Sequence, residues 1–153
     1  NATILKRLAH LPKRSRTLVF ACSIAHAEVL AMILDSYFGT DCAAVVSSRT
    51  PRAERIDVIE RFRNGDGIRF LCNVGVLTTG FDAPRADSVC LTRPTASAIR
   101  YEQMVGRGLR GPKNGGTEKC TVLDVQDKGL PDSIQSYGRV LELWDRRPVR
   151  ANR

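Results

Sequence analysis

Arg107 and Arg110 stand three residues apart in the stretch Gln103-Met104-Val105-Gly106-Arg107-Gly108-Leu109-Arg110. On a helical turn that spacing projects two guanidinium groups from one face. Each group is planar, permanently charged and rich in donors, so the pair suits a polyphosphate. About two dozen residues upstream, Thr78-Thr79-Gly80-Phe81-Asp82-Ala83-Pro84 puts Asp82 on a glycine-containing loop. A carboxylate there can accept a hydrogen bond from a sugar hydroxyl. In phosphoryl transfer an arginine supplied across an interface neutralises transition-state charge and is worth roughly 10³–10⁵ in rate. Arg107 is the first candidate for that role and Arg110 the second. Gln103, one helical turn before Arg107, can hydrogen-bond a γ-phosphate oxygen or an attacking water. Plainer alternatives stand beside these: either arginine can pair with Glu102 or Asp82, and Asp82 can cap its own loop before Pro84.

The chain lacks the other half of such a site. No G-x-x-x-x-G-K-[ST] occurs, and Gly115-Gly116-Thr117 has no lysine. A P-loop cradle for the β- and γ-phosphates is therefore absent. So is an Asp-Glu pair to hold Mg²⁺ and activate water. Residues 106–111 satisfy G-x-G-x-x-G, but that fingerprint needs a strand before it and a helix after it. Here a helical pattern precedes and a Pro/Gly-rich loop follows, which argues against a dinucleotide site. His10 and His26 have no acidic or cysteine partners at useful spacing. Cys22, Cys42, Cys72, Cys90 and Cys120 show no C-x-x-C pairing and fall in or beside apolar runs, as small buried hydrophobes do. Their odd count fits a reducing, intracellular compartment, cytoplasmic or nucleoid-associated.

At 153 residues and 42% hydrophobic content, the chain can bury one core, so a single domain over 1–153 is expected. It begins at Asn1, as a fragment of a longer polypeptide would. No apolar run approaches a membrane span, and no signal-peptide pattern opens the chain. The formal charge of +8 and pI near 9.7 favour a polyanionic partner. Lys6, Arg7, Lys13, Arg14 and Arg16 make 1–16 a basic segment. A C-terminal helix and basic tail over 133–153 carry Arg139, Arg146, Arg147, Arg150 and Arg153. A solvated face or frayed terminus explains either run as simply as a binding role.

Apolar runs at 17–21, 42–46, 68–72, 88–92 and 120–125 read as strands. Their near-continuous character is that of a parallel sheet covered on both faces. A helix with Leu30, Ile33, Leu34 and Tyr37 on one stripe is stopped by Gly39. Thr50 and Pro51 open the next as N-cap and first helical residue; it buries Ile56, Ile59 and Phe62 and stops at Asn64-Gly65. Another runs from about Thr95 into the Gly106 region, and a last, from about Ser133, aligns Ile134, Tyr137, Leu141 and Trp144. Strands alternating with helices imply an α/β fold, an open, doubly wound, mostly parallel sheet with right-handed crossovers. Ser47, Ser48 and Arg49 follow the second strand, at the carboxyl edge where such sheets bind ligands. They are candidates for backbone-phosphate contacts.

Residues 73–84 and 101–111 resemble motifs V and VI of superfamily 2 helicases, the latter in its Gln-type form. Thr17-Leu18-Val19-Phe20-Ala21-Cys22-Ser23 is similar to motif IV, and Arg55, in the helix after Thr50-Pro51, matches a recurring arginine there. The resemblance covers nearly the whole chain and implies the C-terminal of two RecA-like lobes. It further implies ATP and Mg²⁺ held mainly by an N-terminal lobe of the same polypeptide, with Gly80, Asp82, Gln103, Arg107 and Arg110 completing the ATP site from this side. Ser23, Ser48, Arg49, Thr78 and Thr79 would contact the nucleic-acid backbone, although Ser23 can equally be a helix cap. DEAD-box proteins begin motif VI with His-Arg, where this chain has Tyr101-Glu102-Gln103, and carry Thr-Asp in motif V at the place of Val74-Gly75. Those departures point to a DExH-type or repair-type translocase acting on DNA rather than an RNA remodeller. The alternative is a stand-alone nucleic-acid-binding module without ATPase activity.

Overall fold

The computed structural model describes residues 2–77, 86–95, 97–106 and 119–125. Along them run α1 (Ala2–Ala9), β1 (Thr17–Phe20), α2 (Ile24–Phe38), β2 (Ala43–Ser47), α3 (Arg52–Asn64), β3 (Phe70–Val74), β4 (Ser88–Leu91), α4 (Ala98–Gly106) and β5 (Thr121–Asp124). The strands form one sheet in the order β2-β3-β1-β4-β5, and every pairing is parallel. β1 is central: Thr17 aligns with both Phe70 of β3 and Ser88 of β4. The inner strands are buried almost throughout, whereas β2 and β5 are partly open. Burial from both sides explains why these strands read as continuous apolar runs rather than as an alternation.

Successive strand residues nevertheless alternate between two cores, as a pleat of period two demands. Leu18, Phe20, Leu71, Val89 and Leu91 face the core completed by Val58, Ile59 and Phe62 of α3 and Met104 and Val105 of α4. Val19, Phe70, Cys72 and Cys90 face the other, closed by α1 and α2. The sheet is thus RecA-like, with helices on both faces. At its amino end, Thr17 Oγ1 and Ser88 Oγ lie 2.7 Å apart and Ser15 Oγ lies 3.2 Å from Ser88 Oγ, which satisfies three buried hydroxyls among themselves.

Local details correct several expectations. The inner stripe of α2 is Ala27, Leu30, Ala31 and Leu34; Ile33 is half-buried, and Tyr37 is 63% exposed while Phe38 packs inward. Small alanines let the helix approach the sheet, and the stripe then continues from Leu34 to Phe38 at i+4. In α3, Val58 joins Ile59 and Phe62, and Ile56 is 48% exposed. At roughly 100° per residue, Ile56 lies about 160° around the helix from Val58. Thr50 does not cap α3. Pro51 takes the N-cap position without a side-chain bond, and Thr50 Oγ1 instead accepts from Ser47 N at 3.0 Å. Gly39 and Gly65 end α2 and α3 as expected, Gly65 in the left-handed conformation at φ 81°.

The basic segment 1–16 is not a frayed terminus. Ile4 and Leu8 of α1 are buried against the α2 side of the sheet, while Lys6 and Arg7 face solvent in its last turn. Positive charge there also complements the helix dipole. The strand at 68–72 begins two residues late, because Arg69 N and Phe70 N both donate to Cys42 O before the ladder starts. The helix and tail of 133–153 lie outside the described residues.

The reassigned α3 face gives a matched test. Ile59→Ala, at a site 3% exposed, is expected to cost about 2–5 kcal/mol in urea unfolding. Ile56→Ala should cost less than about 1 kcal/mol. Equal losses would contradict this assignment of the buried face.

Candidate functional site

A parallel sheet delivers the carboxyl end of every strand to one edge, where open α/β folds collect their ligands. Here that edge gathers the turns after β1, β2, β3 and β4. The first and last are tied together. Thr92 N and Thr92 Oγ1 donate to Phe20 O at 3.1 and 2.9 Å, and Cys22 Sγ donates to Thr92 O at 2.9 Å. Ala21 N donates to Asn73 O at 3.0 Å, which ties β1 to β3. Cys22 is exposed, contrary to the packing role expected of it, because it lies beyond the last residue of β1 at this open edge. Burial pushes the Cys72 and Cys90 thiols up to about 12, which suits packing groups rather than nucleophiles or ligands.

Ser23 caps α2: its Oγ accepts from His26 N at 3.1 Å. That bond uses a lone pair and leaves the hydroxyl proton for a second partner. Cys22 N lies 3.4 Å from His26 Nδ1, and burial lowers the imidazole's pKa, so the neutral ring serves as acceptor.

The turn after β2 is built rigidly. Ser47, 3% exposed, accepts from Arg49 N through its Oγ at 3.1 Å and from Thr50 N through its carbonyl at 3.2 Å. Arg55 reaches over from α3, and its Nη2 donates to Ser47 O at 3.1 Å and Thr50 O at 3.0 Å. The Ser48 and Arg49 side chains are left exposed on this clamped turn, and Arg49 makes no ion pair among the described residues.

After β3, Asn73 is 1% exposed, and its Oδ1 accepts from Val76 N at 3.3 Å and Leu77 N at 3.0 Å. Gly75 turns the chain at φ 76°, a value that excludes most side chains. Among the described residues, Asn73 Nδ2 and Arg55 Nε are buried without a hydrogen-bond partner, and both flank this edge. Neither positioning task follows from the motif resemblance that covers Arg55 and residues 73–84. An Asn two residues before a glycine is the sequence signal for such a side-chain-closed turn.

Thr78, Thr79, Gly80 and Asp82 lie outside the described residues, as do Arg107 and Arg110. Their mounts are described. Residues 78–85 connect Leu77 to Ala86, which are 1% and 2% exposed. α4 opens with Ser97 Oγ accepting from Arg100 N at 3.3 Å and sinks Met104 and Val105 into the core, leaving Gln103 exposed. Arg107 follows the last residue of that anchored helix. Among the described residues no group of three or more His, Cys, Asp or Glu could hold a metal ion.

The helicase conserved C-terminal domain family matches residues 1–111, and the chain belongs to it: it is a C-terminal RecA-like lobe of the superfamily 2 helicases. Over 128 residues it is 35% identical to IRC3 of Saccharomyces cerevisiae, a protein named provisionally as an ATP-dependent helicase; the match covers 81% of this chain and 18% of IRC3. A 51.5 kDa protein of a Lactococcus phage is 40% identical over 96 residues, 62% of this chain and 21% of its own length. The chain therefore spans about a fifth of the length of these relatives. Its fold matches the C-terminal domain of the DEAD-box protein Dbp5 with a TM-score of 0.67 at 23% identity, over 82% of this chain and 69% of that one. It also matches the DUF1998 helicase MrfA bound to DNA, with a TM-score of 0.66 at 20% identity, over 83% of this chain and 17% of that one.

The Arg55 clamp makes a measurable statement. Arg55→Ala removes two charge-assisted bonds, worth about 1–3 kcal/mol locally. Amide exchange at Arg49 and Thr50 should then accelerate about tenfold or more, with the β1 amides unchanged. Protection at the turn that survives the substitution would show that Arg55 does not hold it.

Proposed function

We propose that this chain is the C-terminal lobe of an ATP-dependent helicase or translocase that works on DNA, completing from one side an ATP site whose phosphates are held by an N-terminal RecA-like lobe. The observation that carries this reading is the reach of the family match. It runs through residue 111 and so takes in both the 78–84 loop and the Gln103–Arg110 segment. The absence of a P-loop from the sequence supports the same division.

On this reading, closure of the two lobes brings Arg107, with Arg110 beside it, to the γ-phosphate. Arg107 donates to the oxygens of the transferring group, where negative charge must be neutralised. Gln103 hydrogen-bonds a γ-phosphate oxygen or the attacking water. Asp82 accepts from a ribose hydroxyl, and Gly80 lets backbone approach the nucleotide. Mg²⁺ falls to the N-terminal lobe; when bound there it would supply charge neutralisation at the phosphates.

The nucleic-acid strand runs along the carboxyl edge, held by Ser48 and Arg49 on the clamped turn, by the Ser23 hydroxyl, and by Thr78 and Thr79. All of these reach backbone phosphates, which position a strand without reading its sequence. DNA rather than RNA is favoured by Tyr101-Glu102-Gln103 and Val74-Gly75, which replace the DEAD-box signatures. The same reading puts the protein to work inside the cell, in the cytoplasm or at the nucleoid.

In the whole polypeptide, Arg107→Ala should leave the Kd for ATP within a few-fold and lower kcat by about 10³ or more. Arg107→Lys should rescue little, for want of the planar fork. A variant that loses ATP binding but keeps its turnover at saturation would make Arg107 a ground-state ligand and remove the transition-state role.

A further inference from the structure

The opposite edge of the sheet, at the amino ends of the strands, holds a cavity of about 1130 Å³. It lies between the α1–β1 connection, the end of α2 and the α3–β3 connection. Lys13, Arg14, Arg16, Arg63 and Arg69 all line it, and among the described residues no acidic side chain does. Strands of four or five residues at about 3.3 Å each separate the two edges by roughly 13–17 Å. This cavity is thus distinct from the turns that carry Ser23, Ser48 and Arg49.

Two of its cations are built into the floor. Arg69 Nε donates to Ser15 O at 3.2 Å and Nη2 to Pro12 O at 3.1 Å, with the guanidinium 4.9 Å from the Phe38 ring centroid and 4.8 Å from that of Phe70. It makes no carboxylate pair among the described residues, so these two hydrogen bonds fix its position while its charge has no anionic partner there. Arg16 pairs with Asp87 at 3.9 Å and donates through Nη1 to Arg63 O. Lys13, Arg14 and Arg63 are exposed and make no ion pair among the described residues. A concavity lined by one sign of charge focuses its field outward and concentrates counter-ions.

The occupant is larger than a lone anion. The volume lies just above the range of small-ligand pockets, about 300–1,000 Å³, and far exceeds what one phosphate fills. An aromatic group stands beside the cations: Tyr37, 63% exposed, meets Phe38 edge-on at 4.9 Å between centroids. A buttressed, exposed ring next to unpaired cations combines the two elements by which proteins hold single strands, a stacking platform and a charged track.

We propose that this amino-edge cavity is a second binding site for single-stranded nucleic acid, with phosphodiester groups on Lys13, Arg14 and Arg63 and a base stacked against Tyr37. The proposal rests on the reading that the protein works on nucleic acid, but not on the carboxyl-edge track. A grip at this edge does not depend on lobe closure, so a strand stays attached while the other edge resets.

The test is anisotropy of a labelled single-stranded oligonucleotide of mixed sequence, titrated with the whole polypeptide at several salt concentrations. Replacing Lys13, Arg14 and Arg63 together by Gln should weaken binding about tenfold or more and flatten the salt slope by roughly 2 units, at about 0.7 per phosphate on a single strand. Tyr37→Ala should weaken binding about fivefold or more with the slope unchanged. Because the two edges are far apart, these losses should multiply with that of Arg49→Ala. Urea midpoints confirm folding, which the four exposed side chains leave intact. Unchanged affinity and slope in the triple variant overturn the proposal, and an Arg49→Ala loss in the same series would leave the carboxyl-edge track standing alone. A triple-variant loss beside a silent Arg49→Ala supports the amino-edge site and removes the other track. If the triple variant weakens but Tyr37→Ala binds as before, the cavity is a general anion site and the single-strand assignment falls.

Discussion

The parallel ladder that sets β1 between β3 and β4 is the constraint on which the other features depend. Phe20 sits in register with Asn73 on one side and Leu91 on the other. β1 and β4 therefore end level, with β3 one residue longer, and their following turns must meet at one edge. The hydrogen bonds from Ala21 N to Asn73 O and from Thr92 to Phe20 O extend that agreement one residue past the strands. A parallel sheet needs cover on both faces, so each pair of helices is pinned to its own core. Rigidity at the edge then follows from packing. α3 is seated by Val58, Ile59 and Phe62, and from that seat Arg55 clamps the turn bearing Ser48 and Arg49.

Much of this architecture is legible in the chain because the largest energetic signal, apolar burial, is also the plainest pattern. The five apolar runs and the two glycine stops say directly where strands lie and helices end. The finer errors share a cause: a stripe drawn from residue type alone takes the largest hydrophobe at a helical spacing. Tyr37 and Ile56 fit the spacing, but alanines on α2 and Val58 on α3 put the contact line elsewhere. Thr50 illustrates the same competition among hydroxyls, since a bond from Ser47 N that closes the β2–α3 turn displaces the helix cap. α1 is hidden because its lysine and arginine dominate the composition of a segment whose Ile4 and Leu8 do the packing.

The candidate site rests on residue types and spacings in the chain, whereas most of its supports do not show there. Arg107, Arg110 and Gln103 announce a phosphate chemistry through charge and periodicity. Asn73 and Arg55 both act on backbone atoms: Asn73 closes a local turn that its spacing to Gly75 signals, whereas Arg55 reaches Ser47 and Thr50 only once α3 is packed, and nothing in its neighbours' identities reveals that. The amino-edge cavity is further still from the sequence, because its cations come from around residues 13 and 63, united only when β1 and β3 pair. One sheet thus presents two charged edges with different support: clamped turns at one, an arginine packed on two aromatic rings at the other.

At the centre of the proposed function is a shared ATP site, in which this lobe contributes arginines and its partner lobe holds the phosphates. Steady-state phosphate release tests that division most directly, measured on this chain alone, on the P-loop-bearing lobe alone, and on the two joined in one polypeptide. Turnover is expected at background for either lobe by itself, with or without nucleic acid, and stimulated by nucleic acid when both are present. Phosphate release by this chain alone, or full turnover by the other lobe without it, would contradict the account.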